Sequence, residues 1–412
     1  MKNTIFVFVL LLLFTGCMEE KQVAELHDRD GIKYEINSEE PFIGKLVSYY
    51  ESGQKELEEH YNDGRLNGVS SNWHKNGKKK SEVNYKKGMH HGRFSEWNDN
   101  GIQIEERNYK DGKLDGTFFL CFDNGQKWFE QNYISDKKYG DTILWYENGQ
   151  RFLEINYKQE DKDEVHTVWF ENGQKGEITN YKDGKLDGFW TSWYENGQKK
   201  YEGGYKGGKK HGRFSGWNDN GIQVGEENYR DGKLDGLGIE WYENGQKKEE
   251  TSYVDGKKSG LRISWNQNGI KVKEETYKIG KLDGKLTMRY ENGQKNYEAT
   301  FKDDKQDGLM VVWYENGQKQ AEINYKNGML DGEVVVMYEN GQKSLEGNYK
   351  AGNLEESWIW WNEEGSIDDL QNDCGFSSEI SYSLNENPYK NYLRGLSDHE
   401  LTRLYDCYER NQ

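Results

Sequence analysis

A glycine returns every 24 residues along most of this chain, with no insertion or deletion. It stands at Gly53, Gly77, Gly101, Gly125, Gly149, Gly173, Gly197, Gly221, Gly245, Gly269, Gly293, Gly317, Gly341 and Gly365. Fourteen such glycines frame thirteen full units. A fixed period of this size is the signature of a repeat architecture, in which each unit buries its apolar face only by stacking on its neighbours.

The other recurring letters say what each unit is. Asn precedes the glycine in twelve of the fourteen cases. Asn-Gly between alternating residues predicts a two-residue hairpin turn of type I′, because both residues tolerate positive φ. Tyr follows eight residues later, as in Tyr181, Tyr205 and Tyr325, with Phe301 the one substitute. A second turn comes next, typified by Lys182-Asp183-Gly184-Lys185-Leu186-Asp187-Gly188. Trp lies four residues before the next glycine at Trp73, Trp97, Trp145, Trp169, Trp193, Trp217, Trp241, Trp265, Trp313 and Trp361. Tyr49, Cys121, Arg289 and Met337 take its place elsewhere.

This reads as strand, glycine turn, strand, Asn-Gly turn. The expected fold is all-β: an elongated, single-sheet antiparallel meander spanning residues 41–365. Strand side chains alternate between faces. Ala321, Ile323 and Tyr325 form one period-2 set, and Leu309, Val311 and Trp313 form another. The expectation is one face carrying a Trp and Tyr ladder and one wet face. About 26 strands at ~4.8 Å each imply a ribbon on the order of 125 Å. Composition agrees. Apolar residues are only 33 % and charged residues 31 %, yet aromatics reach 14 %, which points to a thin aromatic core rather than disorder. The two prolines, Pro41 and Pro388, bracket the array and leave its strands free to donate throughout.

The pattern resembles MORN-repeat proteins, and specifically the bacterial MORN-variant group of YwqK-type antitoxins. The carrying residues are Tyr181 to Gly188 and Trp193-Tyr194-Glu195-Asn196-Gly197-Gln198-Lys199, with counterparts across residues 44–365. Typical MORN units have Tyr-x-Gly-x-Trp before the Gly-Lys turn, and Lys182 and Asp183 depart from that. The repeat architecture points to a non-enzymatic scaffold that binds a protein partner, and the resemblance implies that this partner is a toxin, with the chain as its neutralising or immunity-type component. Residues 211–223 nearly repeat residues 91–103, five units away, as block duplication would produce.

The flanks carry other signals. Residues 1–17 read MKNTIFVFVLLLLFTGC, with Lys2 ahead of an apolar run from Ile5 to Phe14. That run fits a signal peptide better than a membrane span. Phe14-Thr15-Gly16-Cys17 resembles a bacterial lipobox, which implies acylation of Cys17 and anchoring to the cell envelope. Residues 18–40 read as a polar tether. Residues 366–412 leave the pattern, and Ser397-Asp398-His399-Glu400 before Leu401 forms a capping box, so a short C-terminal helix is expected. Cys374 and Cys407 flank that segment and are a candidate disulfide in an exported protein. In the unit after Gly149, Glu160 and Glu164 replace both later glycines, and a distorted turn is expected there.

Chemistry is scarce. The formal charge of −17 argues against nucleic acid and against an anionic membrane surface. No nucleophile elbow, phosphate loop or paired catalytic set appears, so no catalytic, cofactor or metal residue is expected. His90, His91 and His211 lack ligand spacing. The acids of Asp-Gly-Lys-Leu-Asp-Gly suit turns better than calcium loops. The Trp/Tyr ladder remains. It is either core or, as in the choline- and glucan-binding wall repeats it also resembles, a platform for a glycan.

Overall fold

The computed structural model describes residues 22–157, 163–355 and 359–367. Every element among them is a strand. Chain contacts divide the molecule into two units, Met1–Glu177 with Tyr181–Gly184 and Ile178–Asn180 with Lys185–Gln412. Within each unit the repeat strands form an antiparallel meander, each pairing with its neighbour in sequence. The expected all-β hairpin array is therefore what forms. The region of the expected C-terminal helix, with Cys374 and Cys407, lies outside the described residues, as does the signal segment with Cys17.

The two turns exchange roles relative to the sequence reading. At Tyr194-Glu195-Asn196-Gly197, the Gly197 amide donates to the Tyr194 carbonyl at 2.9 Å. Only Gly197 takes positive φ, at 84°. The register shifts between Ser192 and Trp193. This is a type I turn closed by a bulged glycine, not the expected type I′ turn. The type I′ geometry belongs to the Asp-Gly turn, where Asp231 (φ 51°) and Gly232 (φ 87°) join the paired Arg230 and Lys233.

One such turn is strained. Ile279 takes the Asp position with φ 49° and is 66 % exposed. A β-branched residue is an outlier in left-handed backbone. Ile279→Asn is expected to stabilise the second unit by about 1 kcal/mol, seen as a higher denaturant midpoint at constant slope. An unchanged midpoint would show that the strain is not there.

The second correction concerns the faces. Met310 pairs with Ile323, Val312 with Ala321 and Gly308 with Tyr325. Directly paired residues share a face, so these belong together on what we term the tyrosine face. Val311 pairs with Glu322 on the opposite face, and Trp313 follows Val312 and so lies with Val311. Tyr and Trp therefore do not form one ladder. They point to opposite sides of the sheet.

Core quality varies along the tyrosine face. Leu286, Tyr297, Ala299, Met310, Ala321, Ile323, Tyr325, Leu330, Val334 and Tyr349 form one buried cluster. Burial pushes the Tyr325 phenol up to about 12. One repeat position, read at 24-residue steps, explains the change along the unit. It holds Gly203, Glu227, Thr251 and Glu275, then Ala299 and Ile323. Within the second unit the contiguous apolar cluster lies in the later repeats.

Residues 22–40, within the segment read as a polar tether, contain three short strands. Gln22 and Val23 pair in parallel with Lys45 and Leu46. His27–Arg29 and Ile32–Tyr34 form a hairpin around Asp30-Gly31, itself a two-residue turn with φ of 56° and 78°. The Lys33 amide donates to Gly64, and Gly64 donates to the Phe42 carbonyl, both at 2.8 Å. Phe42 is 3 % exposed, so this segment closes over the first repeat. In the altered unit, Glu164 pairs with Tyr157, so strand register is kept there; residues 158–162 lie outside the described residues.

Candidate functional site

The tryptophans are spent on joining repeats. Lys295 pairs with Glu298 at 3.0 Å, and its ammonium lies 5.3 Å from the Trp313 ring centre. The same arrangement recurs at Lys55–Glu58 with Trp73, Lys79–Glu82 with Trp97, Arg151–Glu154 with Trp169, Lys199–Glu202 with Trp217, Lys247–Glu250 with Trp265 and Lys343–Glu346 with Trp361. Each of these rings has a cation of the neighbouring strand over one face, a contact worth about 0.5–1 kcal/mol when exposed. Trp145, Trp193 and Trp241 are half-buried at the same bulged position.

The rest of Trp193 to Lys199 is equally structural. The Tyr194 hydroxyl donates to the Trp217 carbonyl of the next repeat at 2.9 Å. Asn196 accepts from its own turn at Gln198 N and donates to the Asp219 carbonyl at 2.7 Å. The same links run from Tyr146, Tyr242, Tyr290 and Tyr338. Gly149, Gly173, Gly197, Gly245 and Gly317 all take φ between 81° and 87°, which an L side chain adopts only with strain. On the opposite edge, Asp187 accepts from Gly207 N at 2.8 Å and Asp331 from Ala351 N at 3.1 Å. These acids bind the next turn's backbone, and no group of metal-binding side chains occurs among the described residues.

Histidines found in the sequence also have local partners. His90 packs edge-on against Tyr85 and Tyr109, and burial holds its pKa below the usual value. His91 and His211 lie beside Asp111 and Asp231 at turns. Cys121 is half-buried and unpaired, its thiol pushed up by burial. Tyr181 lies 4.5 Å from the His166 ring, and Tyr325 is core.

Tyr205 leads to a different environment. It lines an open groove of about 540 Å³ on the tyrosine face of the second unit. Trp190 and Tyr201 form a stacked pair, with centroids 6.0 Å apart and planes 17° apart. Tyr205 packs edge-on against Phe214, and Phe214 against Tyr229. Gly216, Gly225 and Gly238 form the floor. Gly225 has nothing within 4 Å of where a Cβ would stand. Lys210 sits 4.7 Å above both the Phe214 and Tyr229 rings. Glu227, Glu240 and Glu249 complete the lining.

The groove exists because the core positions there hold glycine and glutamate. Gly225 stands where Ala321 stands four repeats later, and Glu227 where Ile323 stands. The sequence reading missed these residues because it followed Trp and Tyr, the positions that recur. The signal was available in the positions that do not.

Beyond the groove, Arg262 is bonded to the lining residue Glu249. Its Nε and Nη2 donate to Glu249 at 2.9 and 2.7 Å, and its Nη1 donates to Glu275 at 2.6 Å. Hydrogen bonds from Arg262 hold the Glu249 carboxyl below the usual range. Burial pushes the Glu275 carboxyl up, but bonds from Lys273 and Arg262 outweigh it and leave it low.

Each repeat is thus a hairpin pair whose Tyr hydroxyl and turn Asn reach the next copy, while its Trp meets a cation of the strand before it. Seven segments of the chain match the MORN repeat variant. They are residues 43–63, 66–87, 138–159, 186–206, 234–255, 282–303 and 306–327. Gly225 and Glu227 fall between two of these MORN-variant segments. No curated protein matches the chain. Among solved structures, the Photorhabdus luminescens Tc holotoxin pore carrying TccC3-D651A is similar at 12 % identity over 78 % of this chain and 18 % of that one, with a TM-score of 0.16. The TcdB2-TccC3 structure is similar at 13 % identity over 77 % of this chain and 21 % of that one, with a TM-score of 0.15. The chain spans about a fifth of either, and scores this low carry no functional argument.

Proposed function

We propose that this chain is a non-enzymatic scaffold that binds a protein partner, held at the cell envelope by lipid on Cys17. The observation that supports it most is the division of labour between the faces. The Trp face and both turn edges are engaged in joining MORN-variant repeats, whereas one stretch of the tyrosine face gives up its core to an open groove. Repeat arrays bind through the extended surfaces their stacking creates, and the groove is an opening in that surface. The resemblance to YwqK-type antitoxins makes a toxin the partner to test, with occlusion as the mode of neutralisation.

Co-purification after mild extraction tests this. Recovery of one protein in stoichiometric amount is the expected result; recovery of none counts against it. A glycan-binding reading draws its support from the stacked Trp190–Tyr201 pair, since sugars lie flat on such rings. It requires retention of cell-wall or capsule polysaccharide by the purified chain and loss of retention in Trp190→Ala. Cations already over the repeat tryptophans speak against a glycan platform along the whole Trp face.

A further inference from the structure

We infer that the tyrosine-face groove receives an arginine side chain from the protein partner, with Glu227 as its carboxylate counterpart. This deepens the scaffold reading and rests on it. The chain itself supplies the template. Arg262 projects from the tyrosine face and is held by Glu249 and Glu275 through three hydrogen bonds of 2.6–2.9 Å. One repeat earlier, the Arg262 position is Gly238, which lines the groove with the Tyr253 ring edge 3.2 Å from where its Cβ would stand.

The charges around the groove are mostly negative. Four carboxylates and one amine line it. Glu249 is engaged by Arg262, and Glu240 by Lys248 at 3.1 Å. Glu226 has Arg213 at 3.7 Å. Glu227 is exposed at a position whose counterparts, Thr251, Glu275 and Ile323, are buried. It accepts from the Tyr229 hydroxyl at 2.6 Å and has no ion-pair partner among the described residues. Lys210 lies over the rings of Phe214, the cross-strand partner of Glu227, and Tyr229, and has no ion pair with Glu227. A guanidinium entering over Gly238 meets Glu227 and the Tyr253 ring edge beside that glycine, with Tyr205 and Trp190 further along the wall. Planar, weakly hydrated guanidinium suits aromatic walls and carboxylates better than ammonium does.

The test uses the full chain and a capped Gly-Arg-Gly-Arg-Gly peptide, followed by tryptophan fluorescence and by NMR up to about 20 mM, a range that reaches weak millimolar Kd values. The same peptide with citrulline keeps the shape and removes the charge. The expected result is saturable binding of the arginine peptide and at least about tenfold weaker binding of the citrulline peptide. Gly225→Val is expected to abolish binding by filling the floor without backbone strain. Glu227→Gln, at an exposed carboxylate, is expected to weaken it about tenfold with strand content unchanged. No arginine binding across that range, equal citrulline binding, or binding indifferent to both substitutions overturns the inference. A partner that co-purifies equally with wild type and Gly225→Val would leave the scaffold reading standing and remove this one.

Discussion

Tyr297→Ala is expected to destabilise the second unit by about 3–5 kcal/mol, the range for removing a large buried aromatic. Tyr297 is fully buried in the cluster with Ala299, Met310 and Ile323, and its hydroxyl accepts from Gln306 Nε2 at 2.8 Å. Truncation leaves a ring-sized cavity and removes that partner from Gln306. Because a repeat contacts mainly its neighbours, the loss is expected to be local. Amide exchange should accelerate through Lys281–Lys302 and Gly308–Lys326 and stay unchanged in the first unit. Uniform acceleration across the chain would mean that the array unfolds as one cooperative body.

Arg262→Ala is expected to cost about 3 kcal/mol, toward the lower part of the range for breaking a buried ion pair, because Arg262 and Glu249 are still about a quarter exposed. The larger part comes from Glu275, whose side chain is 7 % exposed and which keeps Lys273 at 2.9 Å and the Tyr277 hydroxyl at 3.3 Å. The pH dependence has a definite sign. Glu249 and Glu275 have folded pKa values below their unfolded ones. Their contribution is therefore present above the unfolded value of about 4.3 and fades as pH falls through the folded values. Wild type should lose stability on acidification below about pH 4, and Arg262→Ala should lose less of it over the same interval. Parallel curves for the two proteins would show that the Arg262 bonds are not what lowers those carboxyls.

The sequence yielded the architecture because repetition multiplies a weak local signal. A single Asn-Gly or Asp-Gly is an ambiguous turn, but a constant 24-residue spacing leaves one register for all of them. Which turn took which geometry was not legible. Asn-Gly suits a type I′ turn in isolation, yet here a bulge at Trp193 adds a residue to the loop, and only Gly197 needs positive φ. Strand alternation places Trp on the face opposite Tyr, so an aromatic count could not show that the two never meet as one ladder. The segment around Asp30-Gly31 was overlooked because it stands outside the 24-residue frame, although its turn chemistry is that of the repeats. The groove was overlooked for the converse reason. Glycine at 225 and 238 and glutamate at 227 are absences of a core, and an absence shows only when equivalent positions are compared down the array.

WYENGQK is, on this account, a joint between repeats, and binding belongs to the place where the repeats lose their core. Crosslinking in the native host, with mass spectrometry on the full chain, tests that claim most directly. The expected result is one stoichiometric protein whose crosslinks map to the tyrosine-face segment from Trp190 to Tyr253. Recovery of glycan with no protein, or of a protein linked evenly along the Trp face, would contradict it.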